Sequence, residues 1–253
     1  MKPRQPSRIP LTYCLSIHGG ESASDVLRVI RHDAAAVREE LVRQGLVENS
    51  TEFPMGLRIG ARAAREFREP SLRQTLRTRL HEAGGVAITL NGFPYGPFHG
   101  RPVKRRVYQP DWSSPLRLAY TLDLADLLAD LLPEGTPGSI STVPVSYRTE
   151  VHQAPETACA NLAEAAAALR DLENRTGKEI GLALEPEPDC LLECASDAIS
   201  FFRNRLHPIG RSVLGGSADE AERTLRRHLG VCLDTCHHSV VGESPAAAWS
   251  RWE

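Results

Sequence analysis

Apolar and polar positions along the chain alternate between two periods. Short, nearly continuous apolar runs occur at 11–17, 55–59, 85–90, 139–143, 180–184 and 230–233. Runs of that length and continuity predict strands buried on both faces, as in a parallel sheet. Between them the apolar positions recur at helical spacing. Val26, Ile30, Ala34, Val37 and Leu41 share one face of a helix that starts near Ser24, and Gly45 stands where a C-terminal cap belongs. A second helical stretch follows Gly60, breaks at Pro70 and resumes through Leu72, Leu76 and Leu80. Ser114-Pro115 opens a third helix, Pro155 a fourth and Ser196 a fifth, and Ser217-x-x-Glu220 has the form of a capping box ahead of the last strand.

Six β–α units in succession, with no hairpin signal between them, predict an α/β fold with a parallel sheet. A doubly wound sheet and a (β/α)8 TIM-type barrel both satisfy that pattern. The first strand is followed by His18-Gly-Gly-Glu21 rather than a GxGxxG phosphate loop. Candidate chemistry sits at several successive strand ends, which favours the barrel. Closing such a barrel takes eight strands. The expectation is therefore a single domain over 1–253 with six βα units present and the last two missing at the C-terminal side.

Composition narrows the function classes. Of 253 residues 41% are hydrophobic, enough for a substantial core, and the net charge of −2 (30 basic against 32 acidic residues) gives no field for nucleic acid. No apolar stretch is long enough to span a bilayer, and the run after the basic N-terminus is too short for a signal peptide. A cytoplasmic protein acting on a small polar metabolite is expected, and association with further copies of the chain is left open. Six cysteines are present, and Cys190-x3-Cys194 and Cys232-x3-Cys236 lack the CxxC spacing that marks a structural zinc site.

The candidate site residues stand where apolar strands stop. Ile180-Gly-Leu-Ala-Leu-Glu185-Pro-Glu187 holds Glu185 at the last strand position, because Pro186 cannot continue the ladder. Leu229-Gly-Val-Cys-Leu-Asp234-Thr-Cys-His237-His238 ends on an Asp and a His at D-x-x-H spacing. Carboxylate oxygen and imidazole nitrogen suit a divalent ion such as Mn, Zn, Co or Mg. Glu185 and Asp234 are the expected metal ligands. Glu185 and His237 are the expected catalytic pair, with His237 binding metal or substrate. The alternative for Asp234 is a helix cap, and for the two Glu a solvated loop. The long 91–113 connection is rich in aromatics, and loops of that length in compact domains are usually functional. Asn91, Tyr95, Phe98 and His99 are expected at the pocket wall, with His18 and Glu187 as further substrate contacts. Arg101, Lys104, Arg105 and Arg106 form either an anion-attracting run or a solvated one.

These segments carry a resemblance. Glu185 and the Gly230–His237 segment resemble the xylose-isomerase-like TIM barrels of the sugar phosphate isomerase/epimerase superfamily. Leu90-Asn-Gly-Phe-Pro-Tyr-Gly-Pro-Phe-His-Gly100, Pro110-Asp-Trp112, Gly138-Ser-Ile-Ser-Thr-Val143 and Ala183-Leu-Glu-Pro-Glu-Pro188 resemble its EboE-type metabolite-traffic branch, over roughly residues 10–245. The resemblance implies that Glu185 binds metal and moves a proton, that Asp234 binds metal, and that His237 contacts substrate. It also implies a further His and Glu from seventh and eighth strands, which these 253 residues do not contain. Three functions follow as expectations. The first is a metal-dependent isomerase or epimerase working through an enediolate. The second is a non-catalytic binding or traffic protein that keeps the pocket. The third, a metal-dependent phosphodiesterase, is disfavoured by the charge.

Overall fold

The computed structural model describes residues 11–97, 99–100, 102–150 and 155–252. Phe98 and Arg101 lie outside the described residues, as does the Lys104 side chain. Among the described residues six strands form one sheet: β1 (Tyr13–Cys14), β2 (Phe53–Arg58), β3 (Gly85–Asn91), β4 (Gly138–Thr142), β5 (Ile180–Leu184) and β6 (Leu229–Val231). All neighbouring pairs are parallel, and their spatial order is their chain order. A doubly wound sheet reverses order partway across, so this order excludes it. Among the described residues β1 and β6 are the outer strands.

Helices fill each connection. α1 (Ala23–Val29) and α2 (Ala35–Arg43) are joined through a π-turn, Ile30–Ala34. α3 (Ala61–Glu66) and α4 (Pro70–Glu82) follow β2, α5 (Pro115–Leu131) follows β3, and α6 (Pro155–Thr176) follows β4. α7 (Ala195–Phe201), α8 (His207–Leu214) and α9 (Ala218–His228) follow β5. α10 (Thr235–Val240) and α11 (Pro245–Trp252) follow β6. Local chemistry sets the boundaries. The Ser22 hydroxyl accepts from Asp25 N while Asp25 accepts from Ser22 N, a closed capping box. Ser114 and Ser217 cap α5 and α9, and Pro70 and Pro115 occupy first-turn positions where no N–H is needed. Gly45 ends α2 at φ 71, the left-handed position that favours glycine.

Burial matches the two-sided sheet. Met55, Leu57, Ala87, Leu90, Ile140, Ile180, Leu182 and Leu184 are buried, as are Leu124, Leu127 and Leu128 of the helix over β3. Each such leucine contributes about 2 kcal/mol of transfer free energy. At Gly92 the exit of β3 passes so close to its neighbours that an added Cβ would lie 2.6 Å from Leu124 Cδ1 and 3.1 Å from Ser141 O. Only glycine lets the following segment leave there. Its path is then fixed by Arg117 of α5, a fully buried guanidinium. Arg117 donates to Pro110 O at 2.8 Å, Gly92 O at 2.9 Å and Phe93 O at 3.0 Å. The segment is thereby pinned over the C-terminal end of the strands. No described helix is long and apolar enough to cross a membrane.

Candidate metal centre

The parallel sheet places the ends of β5 and β6 side by side. Glu185 extends the strand by one bond, its N–H donating to Thr142 O at 3.0 Å, and Cys232 N donates to Leu184 O at 2.7 Å. Pro186 then turns the chain, and Glu187 is held by its N–H on Leu192 O at 3.0 Å. Across from it Asp234 caps α10. Its Oδ1 accepts from Cys236 N at 2.7 Å and His237 N at 3.1 Å, which leaves Oδ2 for other partners. The cap and ligand readings of Asp234 are thus compatible, one on each oxygen.

His237 stands at the centre. Its Nδ1 lies 3.1 Å from Pro186 O. A carbonyl only accepts, so Nδ1 carries the proton and, in the neutral ring, Nε2 keeps a lone pair. Nε2 is 3.6 Å from Asp234 Oδ2 and 3.6 Å from Glu187 Oε1, and Nδ1 is 3.7 Å from Glu185 Oε1. Among the described residues one group of three metal-ligating side chains converges, Glu185, Asp234 and His237, with one donor atom from each within 4.8 Å of the others. The backbone bond to Nδ1 is the kind of outer contact that orients a metal-binding histidine. Anionic oxygen and imidazole nitrogen fit a divalent ion.

Electrostatics mark the same spot. Burial, then the neighbouring Glu187, pushes the Glu185 carboxyl up to about 7, with His237 opposing and Asp234 adding to the shift. Burial also raises Glu187. Burial pushes the nearby Cys232 thiol up to about 12, so it remains a thiol rather than a thiolate ligand. No described group of metal-ligating side chains includes a cysteine, and all six cysteines are free. The Cys190, Cys194, Cys232 and Cys236 spacings therefore do not assemble a zinc site.

A cavity of about 290 Å³ opens onto these groups, lined by Ser16, Arg58, Asn91, Phe93, Val107 and the Glu185–Glu187–His237 set among others. Asn91 is at the wall as expected; its Nδ2 donates to Ser16 Oγ at 3.1 Å and its Oδ1 accepts from Phe93 N at 3.1 Å. Three expected contacts are placed elsewhere. His18 does not line the cavity; its Nε2 is engaged with the Tyr13 hydroxyl at 2.8 Å. Tyr95 packs on Tyr120 instead, ring centroids 5.2 Å apart, with the Arg117 guanidinium 5.9 Å from its ring centre. His99 packs beside Gly19 rather than in the cavity. Phe93 is the aromatic of the lining, with Pro94 and Val107 as its other apolar members. Arg58 was missed although it ends an apolar run. It is buried in an ion pair with Glu21 at 2.8 Å and donates to Gly20 O at 2.6 Å. A charge at the last position of a buried strand is the signal that points to it. A larger groove of about 400 Å³ borders β6, but its lining of Arg203, Arg226, Arg251, His207 and apolar residues gathers no ligating set among the described residues, and His207 is paired with Glu222 at 3.1 Å.

No protein-family profile matches the chain, and no curated protein sequence matches it. Among solved structures it is similar to one described as the crystal structure of IOLI protein with a binding zinc atom. Identity is 15% and the TM-score 0.42, over 84% of this chain; the chain spans 64% of the length of that one. At that score the similarity bears no weight for function. What stands on the chain's own residues is an α/β fold of six parallel strands with a metal-competent cluster at their C-terminal end.

Proposed function

We propose that the chain is a metal-dependent isomerase- or epimerase-like protein of the xylose-isomerase-like (β/α)8 type, related to EboE-type metabolite-traffic proteins. It would act on a polyol or hydroxy-carbonyl metabolite. The observation that supports this most is the convergence of Glu185, Asp234 and His237 beside one cavity. These three would hold a divalent ion, Mn, Zn, Co or Mg. The ion would polarise a carbonyl and a neighbouring hydroxyl oxygen and stabilise enediolate charge. Glu185, with its carboxyl raised to about 7, is matched to taking and returning a proton near neutral pH. Asn91 would offer its amide to a hydroxyl group, and Phe93 and Val107 line the cavity with apolar surface beside Glu187.

The test pairs calorimetric titration of Mn²⁺ or Zn²⁺ with proton exchange. Saturable one-to-one binding is expected, weakened by Glu185→Gln and by Asp234→Asn. In D₂O with the metal present, NMR of a panel of ketoses and hydroxy-ketones should show deuterium entering beside the carbonyl, and Glu185→Gln should stop it. Metal and ligand binding without exchange would favour the non-catalytic binding protein. Metal binding untouched by both substitutions would move the site elsewhere.

A further inference from the structure

We infer that Tyr108 is a positioning residue that makes Glu187 a fourth donor of the metal site, an inference that rests on the metal reading above. The Tyr108 hydroxyl donates to Glu187 Oε2 in a very short hydrogen bond. That bond engages one carboxylate oxygen and leaves the other, Oε1, 3.6 Å from His237 Nε2. Asp234 Oδ2 lies at the same 3.6 Å from the same nitrogen. Two carboxylate oxygens therefore flank one lone pair at equal distance. Donors that share a tetrahedral ion at ~2.1 Å stand roughly 3.4 Å apart, close to each of these two separations from Nε2, and a small turn of the Glu187 carboxylate would bring Oε1 into the Glu185–Asp234–His237 group. In each carboxylate the second oxygen is already engaged, Oε2 by Tyr108 and Oδ1 by the α10 backbone. Both carboxylates are turned by outer hydrogen bonds to the oxygen that faces away from Nε2, one from Tyr108 on Glu187 and two from the α10 backbone on Asp234.

Tyr108 is built to hold that orientation. Its ring is buried, edge-on to Phe93 with centroids 5.8 Å apart and tilted against Tyr147 at 5.5 Å. It ends the short 3₁₀ segment Lys104–Tyr108, whose Val107 lines the cavity. Remove the hydroxyl and the Glu187 carboxylate can swing about its last torsion, taking Oε1 away from Nε2.

The experiment is a Co²⁺ titration of the whole chain followed by visible d–d absorption, with Tyr108→Phe, Glu187→Gln and Asp234→Asn alongside. The unaltered chain should give a saturable spectrum. Tyr108→Phe should weaken Co²⁺ about 10- to 100-fold, as loss of an outer-shell contact does, and shift the band shape. Glu187→Gln should shift it further. A spectrum and affinity unchanged in both variants, while Asp234→Asn abolishes binding, would leave the metal reading standing and overturn the role of Tyr108 and Glu187. No saturable spectrum in the unaltered chain would overturn both. Should Tyr108→Phe fail to fold, the isosteric Glu187→Gln decides by itself.

Discussion

Glutamates flank both ends of β5, and the molecule treats them in opposite ways. At the N-terminal end Glu179 and Glu173 share Arg227, with Nη2 3.1 Å from Glu179 Oε2 and Nε 2.8 Å from Glu173 Oε2. Beside them Lys178 donates to Leu132 O at 3.0 Å, and His228 Nδ1 meets Ile180 O at 2.9 Å. The Arg227 hydrogen bonds hold Glu173 below the usual carboxylate range. At the C-terminal end Glu185, Glu187 and Asp234 crowd together, and among the described ion pairs their partner is His237 alone. There the carboxyls of Glu185 and Glu187 are raised. One end balances charge and supports the fold. The other leaves negative charge concentrated and fixed by backbone contacts, an arrangement that costs stability until a cation arrives.

The contrast can be broken at either end. The largest effect belongs to the crowded end: Glu185→Gln or Asp234→Asn should weaken Mn²⁺ or Zn²⁺ more than about 100-fold, beyond what an outer-shell change costs, as read by calorimetry. Arg227→Ala should leave metal affinity alone. If Arg227→Ala weakens the metal as much as the ligand substitutions do, the division of labour is wrong.

Next in size is the pH dependence of the metal-free chain. Glu185 holds its proton more tightly folded than unfolded, its carboxyl lying near 7 rather than at 4.5. Its favourable contribution is therefore complete below about pH 4.5 and is lost as pH rises towards 7, a change on the order of 2 kcal/mol. Urea unfolding in chelator should show lower stability at pH 8 than at pH 5.5, and Glu185→Gln should flatten that slope. Glu173 has the opposite sign. Its carboxyl is lowered when folded, so its contribution is present at neutral pH and lost as pH falls.

Smaller still is the balanced end itself. Arg227 is partly exposed, and Arg227→Ala should cost about 1 kcal/mol by thermal melting. Raising salt should reduce even that by a few tenths of a kcal/mol through screening, as expected for an exposed pair.

How much of this could be read in advance depends on the range of the interaction. β5 appears at 180–184 as its apolar run predicts, because a buried strand ended by Glu-Pro is determined locally. The strand expected over 11–17 shrinks to Tyr13–Cys14. Leu15–Ile17 winds into a 3₁₀ turn closed by His18 N on Leu15 O at 3.1 Å, which brings Ser16 to Asn91. An apolar run cannot announce that turn, since the bond that rewards it lies 75 positions away. Glu185, Asp234 and His237 were legible because each sits at or just beyond the end of an adjacent strand. Tyr108 was not, because its partner Glu187 is 79 positions on. The 91–113 connection was legible as a long, aromatic one. The path of its two ends was not, because it depends on Arg117, a helix residue whose bonds to Gly92, Phe93 and Pro110 no local pattern encodes.

Arg117 also bears on how a ligand would come and go. Burial pushes its guanidinium down only to about 10, so it stays charged at neutral pH and keeps its grip on three loop carbonyls. Breaking that grip would strand a cation in the core, a penalty of several kcal/mol. The two ends of the connection after β3 are thus fastened beside the site. Traffic falls to the opposite rim. Side-chain exposure rises from 15% at Glu185 to 24% at His237 and 33% at Asp234, tracing a one-sided doorway along the end of β6. A bulky group placed at that rim should slow exchange of a bound ion or metabolite, whereas softening the loop tip should change it little.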